Sequence, residues 1–205
     1  MGGLKRGLQT LRREKKCGRG KIRRGEGIMG RIAELFREIL IEIGEDPDRE
    51  GLRDTPDRVE RMYAEVFAGL KQGEPNITVF ENTEGYRDMV IVKEIPFSSF
   101  CEHHCIPFLG KAHVGYIPGT KYIGLSKIAR IIDFFAKRLQ VQERLTDQVA
   151  SYLFNKMDAQ GVIVMIEAEH LCMTIRGVKK SGSKTITTAI RGDIDKDEFI
   201  QSIKR

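Results

Sequence analysis

The spacing of apolar positions changes partway along this chain, and the change divides it. Ile32, Leu35, Phe36, Ile39, Leu40 and Ile43 recur every three or four residues. That is the stripe of an amphipathic helix and predicts one over 29–44. Gly44 closes it, and Asp46-Pro47-Asp48 reads as a loop. A second helix is expected from Thr55-Pro56-Asp57: a hydroxyl as N-cap, a proline suited to the first turn, and a carboxylate facing the positive helix end. Val59, Met62, Val66, Phe67 and Leu70 carry it to about residue 71, and Gly73-Glu74-Pro75-Asn76 breaks it.

Beyond residue 88 the pattern becomes that of strands. Met89–Val92 and Lys111–Ile117 are expected as strands on either side of a polar stretch. Leu125–Leu139 and Val141–Met157 return to helical spacing, through Ile128, Ile131, Ile132 and Phe135, then Leu145, Val149 and Leu153. Gly161 introduces Val162–Ile166, a run suited to a buried strand. Thr185–Ile190 is a last strand, followed by a short helix ending at Arg205. There are no internal repeats. The order helix pair, strands, helix pair, strands predicts an α+β fold with an antiparallel sheet and helices on one side. The expected organisation is a leader over 1–27, an N-terminal helical region over 28–75 and the main domain over 76–205.

Composition adds little until charge is mapped. With 205 residues, 40% hydrophobic and 31% charged, the chain reads as globular, and no apolar run approaches the ~20 residues of a membrane helix. The basic start lacks the apolar stretch of a secretory signal. Four cysteines make a poor disulfide framework, so a reducing, cytoplasmic setting is expected. The net charge of +6 belongs to one end: residues 1–25 hold ten Lys/Arg and one acid, Glu14, while the other 180 residues hold 25 basic and 28 acidic side chains. Such a leader could meet an anionic partner. No aromatic residue interleaves its charges for stacking on bases, so it is read as a solvated leader rather than a nucleic-acid-binding arm.

The chemistry is concentrated. All four histidines and three of the four cysteines lie between Cys101 and Cys172, in two knots: Cys101-Glu102-His103-His104-Cys105 and His170-Leu171-Cys172. Imidazole and thiolate are the preferred ligands of zinc. Cys101 and His104, in a loop, can turn toward one point. Strand parity beyond residue 170 would place His170, Cys172, Thr174 and Arg176 on one face. If Cys101, His104 and Cys172 bind a metal, three protein ligands leave one position open, as in catalytic zinc sites, where bound water has a pKa of ~7. His103 and His170 would remain as proton carriers. Two alternatives stay open: Cys105 as a fourth ligand closing a structural site, or no metal and Cys105 as a small buried apolar residue. The 67 residues between His104 and Cys172 fit no standard finger spacing. His113, on a strand among apolar residues, reads as structural.

Several motifs occur in order: DTPDR over Asp54–Arg58, CEHH over Cys101–His104, GKAHVGYIP over Gly110–Pro118, IGLSKIAR over Ile123–Arg130, QVQERLT over Gln140–Thr146 and HLCMTIRG over His170–Gly177. From about residue 30 onward the chain closely resembles GTP cyclohydrolase I. The resemblance implies the tunnelling fold and a barrel-forming homo-oligomer, generally a homodecamer of two pentamer rings with active sites at subunit interfaces. It implies one Zn2+ per subunit, or another divalent metal, on Cys101, His104 and Cys172. It also implies hydrolysis of GTP at guanine C8 to formate and 7,8-dihydroneopterin triphosphate, a step of pterin and tetrahydrofolate synthesis.

By position, His170 would deliver a proton near N7, His103 would assist, and Ser126 would lie near the ribose and phosphates. Glu143, with Gln142 beside it, would take the guanine edge, whose N1–H and 2-amino group want a carboxylate acceptor. Lys127, Arg130, Arg176 and Arg58 would meet the triphosphate; guanidinium suits oxyanions, and Ser126-Lys127 lies at a predicted helix start. Two features depart from the family pattern: the loop Gly192–Asp197 is shorter than in many members, and the basic leader has no counterpart. A relative that stops at a ring-opened formamidopyrimidine, or a non-catalytic nucleotide-binding paralogue, are the alternatives.

Overall fold

The computed structural model describes residues 30–204; the leader, the start of the first expected helix and Arg205 lie outside the described residues. The two N-terminal helices are α1 (Arg31–Glu42) and α2 (Thr55–Val66), which pack together, with a 3-10 turn at Ala68–Leu70. Glu60 of α2 accepts a hydrogen bond from the Ala33 N–H at 3.0 Å, satisfying one of the donors that the first turn of a helix leaves unpaired. The cap of α2 falls on Asp54 rather than Thr55, and Pro56 occupies the first turn as expected.

The remaining elements are β1 (Val79–Glu81), β2 (Val90–Cys101), β3 (Pro107–Ile117), β4 (Lys121–Ile123), α3 (Leu125–Ala136), β5 (Leu139–Gln140), α4 (Gln142–Met157), β6 (Gly161–His170), α5 (Leu171–Thr174), β7 (Lys184–Gly192) and α6 (Lys196–Lys204). The main sheet runs β5-β2-β3-β6-β7, and β1 pairs with β4 in a separate ribbon. The strands are longer than their apolar runs, because β2 and β6 extend through polar residues to the two Cys/His knots. β1 and β4 are three residues each, too short to show a period. All pairings in the main sheet are antiparallel except β2 with β5. This parallel contact comes from a helix that ends early: the buried Ser99 hydroxyl donates to the Ala136 carbonyl at 2.7 Å, and Leu139 leaves the expected helix to pair with Phe100.

Alternation decides what covers each face. Ala112, Val114 and Tyr116 of β3 and Val162, Val164, Ile166 and Ala168 of β6 form one core with Ile128, Ile131 and Ile132 of α3 and Leu145, Val149 and Leu153 of α4. The expectation of helices on one side holds for α3 and α4 but not for α6. Phe199 of α6 is fully buried against Ile163 and Gly115, which point the other way. A Cβ at Gly115 would come within 2.8 Å of the Phe199 ring, so this close approach requires glycine. Among the described residues no helix is long and apolar enough to cross a membrane.

Candidate active site

The first knot is the turn between β2 and β3. The Cys101 N–H donates to the Ile106 carbonyl at 3.0 Å, and the Cys105 N–H to the Cys101 carbonyl at 2.9 Å, with Cys105 at φ 53°. The turn is fixed from outside as well. The Glu102 N–H reaches the Gln140 carbonyl at 3.0 Å. The Glu102 carboxylate accepts two hydrogen bonds from Arg144 of α4, at 2.7 and 2.9 Å. That paired guanidinium holds the Glu102 carboxyl below its usual range.

The second knot corrects the parity argument. Strand β6 ends at His170, opposite Phe108 of β3, and Leu171–Thr174 form a single helical turn. The Ile175 N–H closes it on the Leu171 carbonyl at 3.0 Å. The Thr174 hydroxyl lies 3.1 Å from the Glu169 carboxylate. Cys172 therefore reaches Cys101 by helical rotation after the strand, and Thr174 and Arg176 do not continue a strand face with His170.

The ligand atoms of Cys101, His104 and Cys172 all lie within 4.8 Å of one another. Cys101 Sγ is 4.0 Å from His104 Nδ1. Two sulfurs and an imidazole nitrogen at such separations suit zinc or a similar borderline divalent ion, with an open position. Burial pushes the Cys172 thiol up, and the adjacent Cys101 pushes it further; a cation between them would relieve that repulsion. Cys105 is exposed and stands outside the group. The structure thus favours neither the closed four-ligand alternative nor Cys105 as a buried apolar residue.

A recess of about 190 Å³ opens beside the cluster, lined by Cys101, His103, His104, Glu143, His170 and Cys172, with Gln140, Val141, Gln142, Met173 and Thr185. His103 is exposed, its Nδ1 3.5 Å from Cys101 Sγ. The His170 ring lies parallel to Phe108, 4.6 Å between centroids and 7° between planes. Burial lowers the His170 pKa from its ordinary value, and the Glu143 charge partly offsets this. Glu143, in the first turn of α4, stands exposed at the recess, where its charge also complements the helix end.

Gln142, expected beside Glu143 at the guanine edge, lines the recess, but its amide is turned away into the protein. It is 1% exposed. Its amide nitrogen faces Ile166, Thr185 and Thr187 inside the protein, and its oxygen meets His170. The expected phosphate-binding residues also fall elsewhere within one chain. Ser126 and Lys127 are in the first turn of α3. Arg130 lines a different recess with Gln72, Asp133 and Phe134, and Arg58 pairs with Asp54 at 3.2 Å. None of the four lines the Cys/His recess. Arg176 is exposed, close enough for its charge to favour the Cys172 thiolate. Sequence reasoning missed Phe108 and Arg144; Arg144 lies inside a quoted motif, while Phe108 carries no local signal of its stacking role.

An α+β domain with an open Cys2His donor set beside a histidine and a carboxylate has the parts of a metal-assisted hydrolase. Comparison with known proteins narrows the class. A family model described as GTP cyclohydrolase I matches residues 32–204. The GTP cyclohydrolase 1 of Carboxydothermus hydrogenoformans is 61% identical over 163 residues, covering 79% of this chain and 85% of that protein. That of Brevibacillus brevis is 55% identical over 172 residues, covering 82% and 91%, and that of Thermobifida fusca 57% over 166, covering 79% of each. The chain belongs to the GTP cyclohydrolase I family of enzymes.

Proposed function

We propose that this enzyme hydrolyses GTP at guanine C8, releases formate and forms 7,8-dihydroneopterin triphosphate, with zinc held by Cys101, His104 and Cys172. The observation that carries the reading is the convergence of those three donors, within 4.8 Å of one another, on a recess that also holds His103, Glu143 and His170. When bound there, a divalent ion supplies Lewis acidity that makes water nucleophilic near neutral pH. Glu143 accepts from guanine N1–H and the 2-amino group; adenine would leave the carboxylate unpaired. His170 exchanges a proton at the N7 side as C8 is attacked and the C8–N9 bond breaks. His103, flanking Cys101, assists hydrolysis of the resulting formamide. Loss of formate bares the N7 amine, and the rearranged ribose recloses on it.

Ser126, Lys127, Arg130 and Arg58 stand apart from the recess of their own chain. We assign them to the triphosphate in the site of a neighbouring copy, within a homodecamer, and Arg176 to the phosphates at its own recess. The exposed Ile32, Leu35 and Ile39 of α1, with Ile43 just beyond its end, support burial between copies. The test is to give purified protein GTP and zinc. Formate and an oxidisable, fluorescent pterin are expected in equal amounts. Ring-opened product without pterin would mark an enzyme that stops early, and neither product would overturn the reading.

A further inference from the structure

We propose that Gln142 is a positioning residue that holds His170 as its Nε2–H tautomer, leaving Nδ1 as the atom that exchanges protons with substrate. The role of His170 toward substrate rests on the hydrolase reading above; the tautomer rests on hydrogen-bond chemistry alone.

The argument starts from the direction of a buried amide. The Gln142 side-chain nitrogen lies 3.1 Å from the Ile166 carbonyl of β6 and 3.0 Å from the Thr185 carbonyl of β7. Backbone carbonyls only accept, so the NH2 group must face them. The third neighbour, Thr187 Oγ1 at 3.1 Å, agrees. Thr146 donates its hydroxyl proton to the Gln142 backbone carbonyl at 2.8 Å. The Thr187 hydroxyl, 2.6 Å from Thr146 Oγ1, must then donate to Thr146, which leaves Thr187 a lone pair for Gln142. Turning the amide over would set its oxygen against two carbonyl oxygens at a site 1% exposed, leaving buried polar groups unpaired.

With that direction fixed, Gln142 Oε1 is the atom 2.8 Å from His170 Nε2. An amide oxygen only accepts, so Nε2 carries the hydrogen, and in the neutral ring Nδ1 is bare. A half-turn of the ring would keep its stacking on Phe108 but put a carbon against Oε1. Nδ1 makes no hydrogen bond among the described residues, and His170 lines the recess with Glu143 and the donor set. The Nε2–H bond also survives protonation at Nδ1, since both nitrogens are donors in the charged ring. His170 can therefore take up a proton and return it without reorienting.

The test uses the full-length protein labelled with 13C,15N-histidine and studied by solid-state NMR, with His170 assigned by the signal lost in His170→Asn. The N–H nitrogen is identified by its bonded carbon: Cδ2 for Nε2, Cγ for Nδ1. The hydrogen is expected on Nε2; a neutral ring with the hydrogen on Nδ1 would overturn the proposal. Gln142→Met keeps the side-chain length and replaces the amide oxygen's strong acceptor with at most a weak thioether one. It should mix the tautomers and lower kcat roughly 10- to 100-fold with KM little changed. Unchanged kcat, or a raised KM at full kcat, would return Gln142 to a substrate-binding or purely structural role. If the Met variant does not fold, the wild-type spectrum decides alone. Wild-type turnover of GTP is scored separately: an Nε2–H ring in a protein that leaves GTP intact sinks the hydrolase reading and keeps the lock, whereas an Nδ1–H ring in an active enzyme sinks the lock.

Discussion

The Cys/His recess and the cationic first turn of α3 are both drawn from ordered motifs, yet the fold treats them differently. Within the recess, side chains are held by partners: His170 by Gln142 and Phe108, and the first knot by Arg144 through Glu102. At α3, Ser126 and Arg130 are exposed and Lys127 is half-buried, and among the described residues neither cation forms an ion pair. On the proposed function, the difference separates two tasks. Proton transfer and metal binding need groups fixed in advance, so that no reorganisation is required during reaction. On that same proposal, long cations that grip phosphate need reach, and Arg130 is presented outward.

The largest expected effect breaks the recess. Cys172→Ser should lose both bound metal and turnover, measured by elemental analysis and formate release. A variant keeping one metal per chain and full turnover would remove Cys172 from the donor set. Next, His170→Ala should keep metal and GTP binding while kcat falls ~10²- to 10⁴-fold, the usual worth of a general acid or base. Loss of metal instead would make His170 a ligand. Glu143→Ala should weaken GTP binding by about 1.5–3 kcal/mol, roughly 10- to 150-fold, with metal content unchanged. Unaltered preference for guanine over adenine nucleotides would remove Glu143 from base recognition.

The α3 side of the comparison is sharpened by mixing. Lys127→Ala and His170→Ala proteins, each nearly inactive, should regain measurable turnover when co-assembled, because some sites then combine intact groups from two chains. No recovery would place Lys127 and His170 in one chain's site. The smallest effect lies on the opposite sheet face. Burial lowers the His113 pKa below its ordinary 6.5, against the opposing charge of Glu94. The unfolded chain then binds protons more readily, so this contribution to stability is full above pH 6.5 and lost as the pH falls below it. His113→Gln should flatten that part of the stability profile, read by thermal unfolding across pH; an unchanged slope would discount His113.

The helices with long apolar stripes were legible by their period; on α3 and α4 the stripe faces the core, whereas on α1 it is largely exposed within one chain. The three residues of the candidate metal site were legible because their side chains are rare and crowded. The path of the second knot was not: a four-residue turn at Leu171–Thr174 is too short to carry a period, and strand parity does not survive the end of β6. The inward turn of Gln142 did leave a trace. It shares the stripe of Leu145, Thr146, Val149 and Leu153, all buried on α4, whereas Glu143 falls on the exposed side. Distance between motifs is another matter. Nothing in the order of Arg58, Ser126 and His170 along the chain says that one chain separates the first two from the third.

The most direct measurement takes one sample of the full chain and follows bound metal, formate and pterin together, before chelation, after it and after zinc is restored. The account predicts about one metal per chain, turnover that disappears with the metal and returns with zinc, and formate equal to pterin throughout. Metal-stripped protein that still releases formate at the original rate would contradict it.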